Sequence, residues 1–216
     1  MICSNISSPF LLIISSVNRP DLCDGTYDQF CTNAPQYTNI TDILQAAGQD
    51  DLLSYMNTYW LPDDGTSESF WEHEWNKHGT CINTLAPSCY GDAYTPGMEV
   101  VDFFTRTVGL FKTLDTYTAL ANAGITPSTE VTYTKQQIQD ALTQVTGHAV
   151  VLGCSRRSLN QAWYSFNVRG SLQTGDFVPT DPAGSGGSGT CPQSGIRYLP
   201  KGEDYGAPEE GVDAPE

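Results

Sequence analysis

The stretch 70–81 reads FWEHEWNKHGTC and contains two of the three histidines of the chain. On an α-helix, side chains four residues apart lie on the same side. Glu74 and His78 have this spacing, and so do His73 and Lys77. The spacing therefore predicts one broad helix face that presents two imidazoles, a carboxyl and an ammonium: His73, Glu74, Lys77 and His78.

These four groups suit the transfer of a phosphoryl group to an internal hydroxyl, as in the cleavage of RNA by its own 2′-OH. That reaction needs a base for the 2′-OH, an acid for the departing 5′ oxygen, and cationic or hydrogen-bonding groups around the phosphate. Histidine supplies an acid or a base near neutral pH. A carboxyl can orient an imidazole, raise its pKa, or donate a hydrogen bond when protonated. The chemistry requires neither a metal nor a cofactor.

Two other interpretations compete with this one. A zinc protease helix carries two histidines four residues apart, whereas His73 and His78 are five apart. Five residues correspond to roughly 140° around a helix, which would misdirect one zinc ligand. Alternating charges are also typical of a solvated helix face, and a lone histidine such as His148 is usually structural. On residue types alone, a solvated helix face explains this cluster of charges as well as a catalytic site does.

The helix predicted for this stretch begins near Ser67 or Ser69 and ends at the Gly-Thr-Cys sequence of residues 79–81. Cys81 could fasten that end through a disulfide. Trp71 and Trp75, also four residues apart, are expected to face away from the polar groups and to pack.

Three other stretches carry apolar residues at helical spacing. The first is TDILQAAGQDDLLSYMNTYW, with Thr41 or Asp42 as its cap. The second, PGMEVVDFFTRTVGLFKTLDTYTALANAG, forms one long helix or two in sequence, and the third, TKQQIQDALTQVTG, ends at Gly147. HAVVLGCS and LNQAWYSFNVRGSLQ favour strands, and further strands are expected toward the start. The sequence therefore predicts an α+β fold.

The overall composition limits the possible partners and compartment. A net charge of −15 opposes general affinity for nucleic acid at neutral pH, although a local cationic pocket could still bind it. Seven cysteines without a CxxC pair argue against a zinc ribbon and for disulfides in an oxidising compartment. Glycosylation sequons begin at Asn5 and Asn39. The short apolar run at 10–14 lacks a preceding basic residue, which makes it a poor signal peptide.

The stretch FWEHEWNKHGTC resembles the second active-site segment of the ribonuclease T2 family, the secreted acid endoribonucleases common in fungi. The similarity runs from about Pro20 to Lys201 and includes CDGTY, LSYMNTYW, GCS and SFNVRGSLQTGDF. It implies a single domain at 21–201, with helices packed on a mostly antiparallel sheet. An atypical segment at 1–20 precedes this domain, and an acidic tail at 202–216, expected to be disordered, follows it.

The resemblance also implies roles for particular residues. His78 would be the base, while His73, Glu74 and Lys77 would bind or polarise the phosphate. Phe70 would line one base pocket, and the positions that match the other are Asp21 and Tyr27. The implied disulfides are Cys31–Cys81 and Cys154–Cys191. The implied protein is a secreted monomer that cleaves single-stranded RNA through a 2′,3′-cyclic phosphate, without a metal, a cofactor or a membrane.

The chain departs from the family pattern at its start. The family carries a second histidine in a segment of the form I-H-G-L-W-P, and here Ser16 occupies the position of that histidine and Arg19 that of a base-stacking tryptophan. Cys23 and Cys89 would need partners in a region before that histidine, where Cys3 could serve only one of them. We therefore expect a substitute N-terminus, arising from a mispredicted exon, a truncation or a splice form.

The expected consequence is impaired catalysis, because the missing histidine would be the acid for the leaving oxygen. His148 is a remote replacement without support from the sequence. The alternative is a catalytically degenerate protein of this type that binds RNA or acts in signalling.

Overall fold

The computed structural model describes residues 5–10, 19–22, 26–62, 64–182 and 189–200. The side chains of the first strand and of residues 19 and 21 are not among the described parts. The expectations for Cys3, Ser16 and Cys23 lie outside the described residues, and so does the expected disordered tail at 202–216.

Six α-helices occupy the described part of the chain. They are α1 (Ile40–Ala46), α2 (Asp50–Tyr59), α3 (Ser67–Lys77), α4 (Met98–Phe111), α5 (Thr116–Asn122) and α6 (Lys135–Thr146). Three short 3₁₀ helices follow α3, at Gly79–Cys81, Asn83–Leu85 and Pro87–Ala93. Within the described ranges, no helix has the length and apolar character that crossing a membrane would require.

Seven strands of the described chain form one sheet. They are β1 (Asn5–Phe10), β2 (Arg19–Asp21), β3 (Thr132–Tyr133), β4 (Val151–Ser155), β5 (Ser158–Arg169), β6 (Asp176–Thr180) and β7 (Ile196–Arg197). The long β5 is central: it pairs antiparallel with β1, β4 and β6, and parallel with β7. β2 extends the sheet beyond β1, and β3 extends it beyond β7. The sheet is therefore mostly antiparallel.

The predicted α+β fold is confirmed, and one helical stretch differs from the prediction in detail. The first stretch is divided into α1 and α2 at Gly48, whose φ of +69° suits glycine. The cap of α1 is Asn39 rather than Thr41 or Asp42, which lie inside the helix. The second stretch forms two helices in sequence, α4 and α5, which is one of its two predicted forms, and α6 ends at Gly147 as predicted.

The core consists of two apolar clusters. One lies among α1–α4 and is rich in large aromatic side chains, namely Trp60, Trp71, Trp75, Phe103 and Phe104. The other lies between the sheet and the pair α5 and α6, and includes Leu120, Ile138, Leu142, Leu159 and Tyr164. Phe177 on β6 packs against both clusters and joins them.

Helix α3 is held in one rotation by its start and by its two tryptophans. Thr66 begins the helix with a reciprocal capping box, in which its side chain accepts from the backbone N–H of Ser69. Trp71 donates from its indole to the carbonyl of Trp60 at 2.9 Å, and Trp75 donates to that of Pro35 at 3.0 Å. Both rings are buried. A different rotation of α3 about its axis would therefore break the two indole hydrogen bonds and remove both rings from the core.

Gly79 provides the space that Trp75 needs. A Cβ atom at residue 79 would lie 2.4 Å from Cε3 of the Trp75 ring, far inside van der Waals contact. Residue 79 follows Trp75 by one helical turn, so the glycine lets the chain continue closely past the indole. The close packing at the end of α3 therefore requires a residue without a side chain at position 79.

We predict that Gly79→Ala destabilises the protein by about 1–3 kcal/mol, because the indole or the backbone must move. Gly109→Ala is the matched control: Gly109 lies in the exposed part of α4 with nothing within 4 Å of the added Cβ. Alanine there should be neutral or stabilise by up to about 1 kcal/mol. Urea unfolding of both variants measures the difference, and equal stabilities would contradict this packing.

Candidate active site

The two imidazoles of the stretch meet at the end of α3. His73 lies in the helix, and His78 is the first residue after it, with its backbone N–H still bonded to the carbonyl of Glu74 at 3.2 Å. The ring centroids of His73 and His78 are 6.5 Å apart, and the ring planes are nearly perpendicular at 86°. The five-residue spacing thus still brings both rings to one place.

The prediction of one broad polar face is wrong in one respect. Glu74 and His78 are buried, with 2% and 4% of their surface exposed, on the same side of α3 as Trp71 and Trp75. The spacing of these four residues is the usual pattern of a buried helix stripe. By contrast, His73 keeps a large part of its surface exposed, and Lys77 is half-buried. Glu74 and His78 therefore lie on the buried side of α3, and His73 and Lys77 lie on its other side. The two imidazoles approach each other only at the end of the helix.

Burial changes the acidity of Glu74. It raises the pKa of the carboxyl to about 8, and the Lys77 ammonium opposes this shift only in part. Among the described residues, Oε2 of Glu74 has no hydrogen-bond partner. The carboxyl therefore keeps its proton in mild acid, where it is a hydrogen-bond donor rather than an anion.

The acidity of His73 is changed in the opposite direction. Partial burial of its ring lowers the pKa, and the nearby Lys77 ammonium lowers it further. Both effects disfavour a second positive charge at this place. An anion between His73 and Lys77 would oppose both effects, because it would favour the positively charged forms of the imidazole and of the ammonium.

A loop before α1 faces the imidazoles. The disulfide Cys31–Cys81, with a Cα–Cα distance of 5.0 Å, joins this loop to the residues that follow α3. Phe30 donates its backbone N–H to the carbonyl of Lys77 at 3.0 Å. The loop places one aromatic ring beside each imidazole: Tyr27 lies 6.4 Å from His78 and Phe30 lies 6.2 Å from His73, between ring centroids.

The other expected site residues are less central. Phe70 is half-buried on α3 and packs against the aromatic core. Asp21 is the last residue of β2, and its side chain is outside the described part. Nδ1 of His148 lies 3.4 Å from a carboxylate oxygen of Asp181, so this imidazole pairs with an acid just after β6.

The cysteines of the described part agree with the pairs that the resemblance implies. Besides Cys31–Cys81, the structure contains Cys154–Cys191, which fastens the end of β4 to the segment before β7. Cys89 is exposed and forms no disulfide with any cysteine of the described part.

The sequence did not indicate Phe30 as a site residue, and it indicated Gly79 only as part of the end of the helix. A signal for the packing of Gly79 against Trp75 was present, because a glycine four residues after a tryptophan on a helix can mark close packing. Phe30 carried no such signal: its position depends on a disulfide and on a backbone bond to a residue far along the chain.

Comparison with known proteins agrees with this fold. Residues 14–178 match the model of the Ribonuclease T2 family. The chain therefore belongs to the ribonuclease T2 family, a family of RNA-degrading enzymes. The resemblance noted in the sequence is confirmed.

Individual relatives are similar over most of the chain. Ribonuclease Trv of Hypocrea rufa is 56% identical over 84% of this chain and 76% of the relative. A ribonuclease T2-like protein of Aspergillus fumigatus is 52% identical over 84% of this chain, which spans only 44% of that relative. The crystal structure of Actibind, a T2 ribonuclease, superimposes with a TM-score of 0.84 and 45% identity, covering 92% of this chain and 88% of that one.

The raised pKa of Glu74 predicts a specific pH dependence of stability. The folded protein keeps a proton that the unfolded chain loses above pH 4.5, so stability should fall as the pH rises from 4.5 to about 8. Glu74→Gln keeps the shape of the side chain but replaces the carboxyl by an amide, which does not ionise. The stability of the wild type relative to this variant should therefore fall by roughly 1 kcal/mol per pH unit across that window. Parallel pH profiles in urea unfolding would contradict the burial of an unpaired carboxyl.

Proposed function

We propose that the protein is an endoribonuclease that cleaves single-stranded RNA through a 2′,3′-cyclic phosphate by metal-free acid–base chemistry. The observation that carries the proposal is the approach of the His73 and His78 rings to 6.5 Å beside the buried Glu74 carboxyl. Single-stranded RNA fits this site because its bases can leave the stack and lie on aromatic side chains.

In the proposed reaction, the 2′ oxygen forms a new bond to phosphorus and the bond from phosphorus to the 5′ oxygen breaks. His78 accepts the proton of the 2′-OH as the general base. His73 and Lys77 bind the anionic phosphate oxygens, and protonated Glu74 donates a hydrogen bond to the same group. These assignments follow the resemblance, and the short distance between the rings supports them.

The acidic surface favours activity at low pH. At neutral pH the net charge of −15 repels RNA, whereas in mild acid many carboxylates are neutral. Glu74 is protonated under the same conditions. Secretion is part of the proposal, since stable disulfides such as Cys31–Cys81 form in oxidising compartments.

We further propose that catalysis by this chain is impaired. Ser16 stands where the family pattern has the histidine that would protonate the leaving 5′ oxygen. Serine cannot donate a proton near neutral pH, so the leaving oxygen must take one from water. The same substitution favours a second candidate function, in which a degenerate protein binds RNA or acts in signalling without turnover.

The role of His78 predicts a loss of activity in His78→Ala. Removal of a positioned general base should lower kcat by about 10²–10⁴-fold. The matched control is His148→Ala, which removes the imidazole beside Asp181 and should leave kcat unchanged. The assay follows cyclic-phosphate ends on single-stranded RNA in mild acid with a chelator present. Equal activity of His78→Ala and wild type would contradict the proposal, and so would loss of wild-type activity on addition of the chelator.

The impairment predicts that activity can be restored. Replacing residues 15–19, Ser-Ser-Val-Asn-Arg, by Ile-His-Gly-Leu-Trp supplies the missing acid and should raise kcat by about 10²–10⁴-fold. The control is the same replacement with alanine in place of the new histidine, which should stay at the original rate. A wild type already as fast as the histidine replacement would contradict the impairment. A wild type that binds RNA without any turnover would favour the binding function.

A further inference from the structure

Phe30 has an unusual conformation for an aromatic residue. Its φ is +50°, in the left-handed region that bulky side chains rarely adopt. Two connections impose this conformation: the N–H of Phe30 bonds to the carbonyl of Lys77, and the next residue forms the disulfide with Cys81. Backbone strain of this kind persists only where the surrounding structure enforces it, and it occurs most often at functional sites.

The strained backbone holds an apolar ring in solvent. Phe30 is 51% exposed, so much of its ring forgoes the free energy that burial of apolar surface would contribute. One side of its ring meets His73 edge-on, at 6.2 Å between centroids and an angle of 80°. The exposed surface of the ring therefore adjoins the group that contacts the phosphate in the proposed reaction.

We propose that Phe30 is a base-stacking residue, which binds the nucleobase of a nucleotide adjoining the scissile phosphate. This inference rests on the proposed function and adds a residue to one of its two base pockets. A nucleobase offers a flat face that stacks on aromatic side chains whatever its sequence. The loop then contributes two rings to substrate binding, with Tyr27 beside one imidazole and Phe30 beside the other.

Other exposed aromatic residues lack these features. Tyr59 packs on Tyr55 at 4.6 Å within α2, and Tyr117 lies on the outside of α5. Neither has a positive φ. Tyr117 is therefore a suitable control, since it is as exposed as Phe30 and lies on an element without an imidazole.

The test measures the binding of a short 2′-O-methyl oligoadenylate, which lacks the nucleophile and cannot be cleaved. Phe30→Leu keeps an apolar side chain without an aromatic face, and Phe30→Gly suits the positive φ and so cannot act by unfolding the loop. Both should weaken binding by about 5- to 100-fold, the effect expected for one stacked base. Phe30→Tyr should bind like the wild type, and Tyr117→Leu should do the same.

Cleavage kinetics give an independent readout. With single-stranded RNA, Phe30→Gly should raise KM by a factor similar to its loss of binding, because Phe30 contacts the base and not the reacting atoms. Wild-type affinity in both Phe30→Leu and Phe30→Gly would overturn the stacking role while leaving the proposed function intact. A wild type that neither binds the oligonucleotide nor cleaves RNA would overturn the proposed function itself.

Discussion

The burial of Trp71 and Trp75 is the constraint on which the site depends. Their indoles fill the aromatic core and donate to two backbone carbonyls, which fixes the rotation of α3. Glu74 lies between them on the same stripe and is buried with them. The stability gained from the aromatic side chains offsets the cost of desolvating this carboxyl. The raised pKa of Glu74 is thus a consequence of core packing.

The second constraint is the connection between α3 and the loop before α1. The disulfide Cys31–Cys81 and the bond from Phe30 to Lys77 hold the loop against the helix end. Each of the two imidazoles therefore has an aromatic ring of this loop beside it. An anionic phosphate beside these imidazoles would compensate the forces that disfavour positive charge on His73. An arrangement of this kind suits acid–base cleavage of a phosphodiester, which needs cationic and hydrogen-bonding groups around the phosphate.

Much of this arrangement could be predicted from the sequence. The α+β class, the helix that carries the site and the end of α6 at Gly147 followed from periodicity and caps. The buried side of α3 could not be predicted, because two tryptophans and two polar residues share the spacing of that one side. These residues are Trp71, Trp75, Glu74 and His78. The pairing of β1 with β5 had no local signal, since the two strands are far apart in the chain. The conformation of Phe30 arises from long-range connections, which no pattern around residue 30 reveals.

The most direct test of the account is a histidine NMR titration with and without a nucleoside 3′-monophosphate. The central claim is that His73 and His78 share one phosphate, and His148 beside Asp181 provides an internal control. The account predicts that the nucleotide raises the pKa of both His73 and His78 and leaves His148 unchanged. A nucleotide that affects only one of the two rings, or all three alike, would contradict a shared phosphate site at the end of α3.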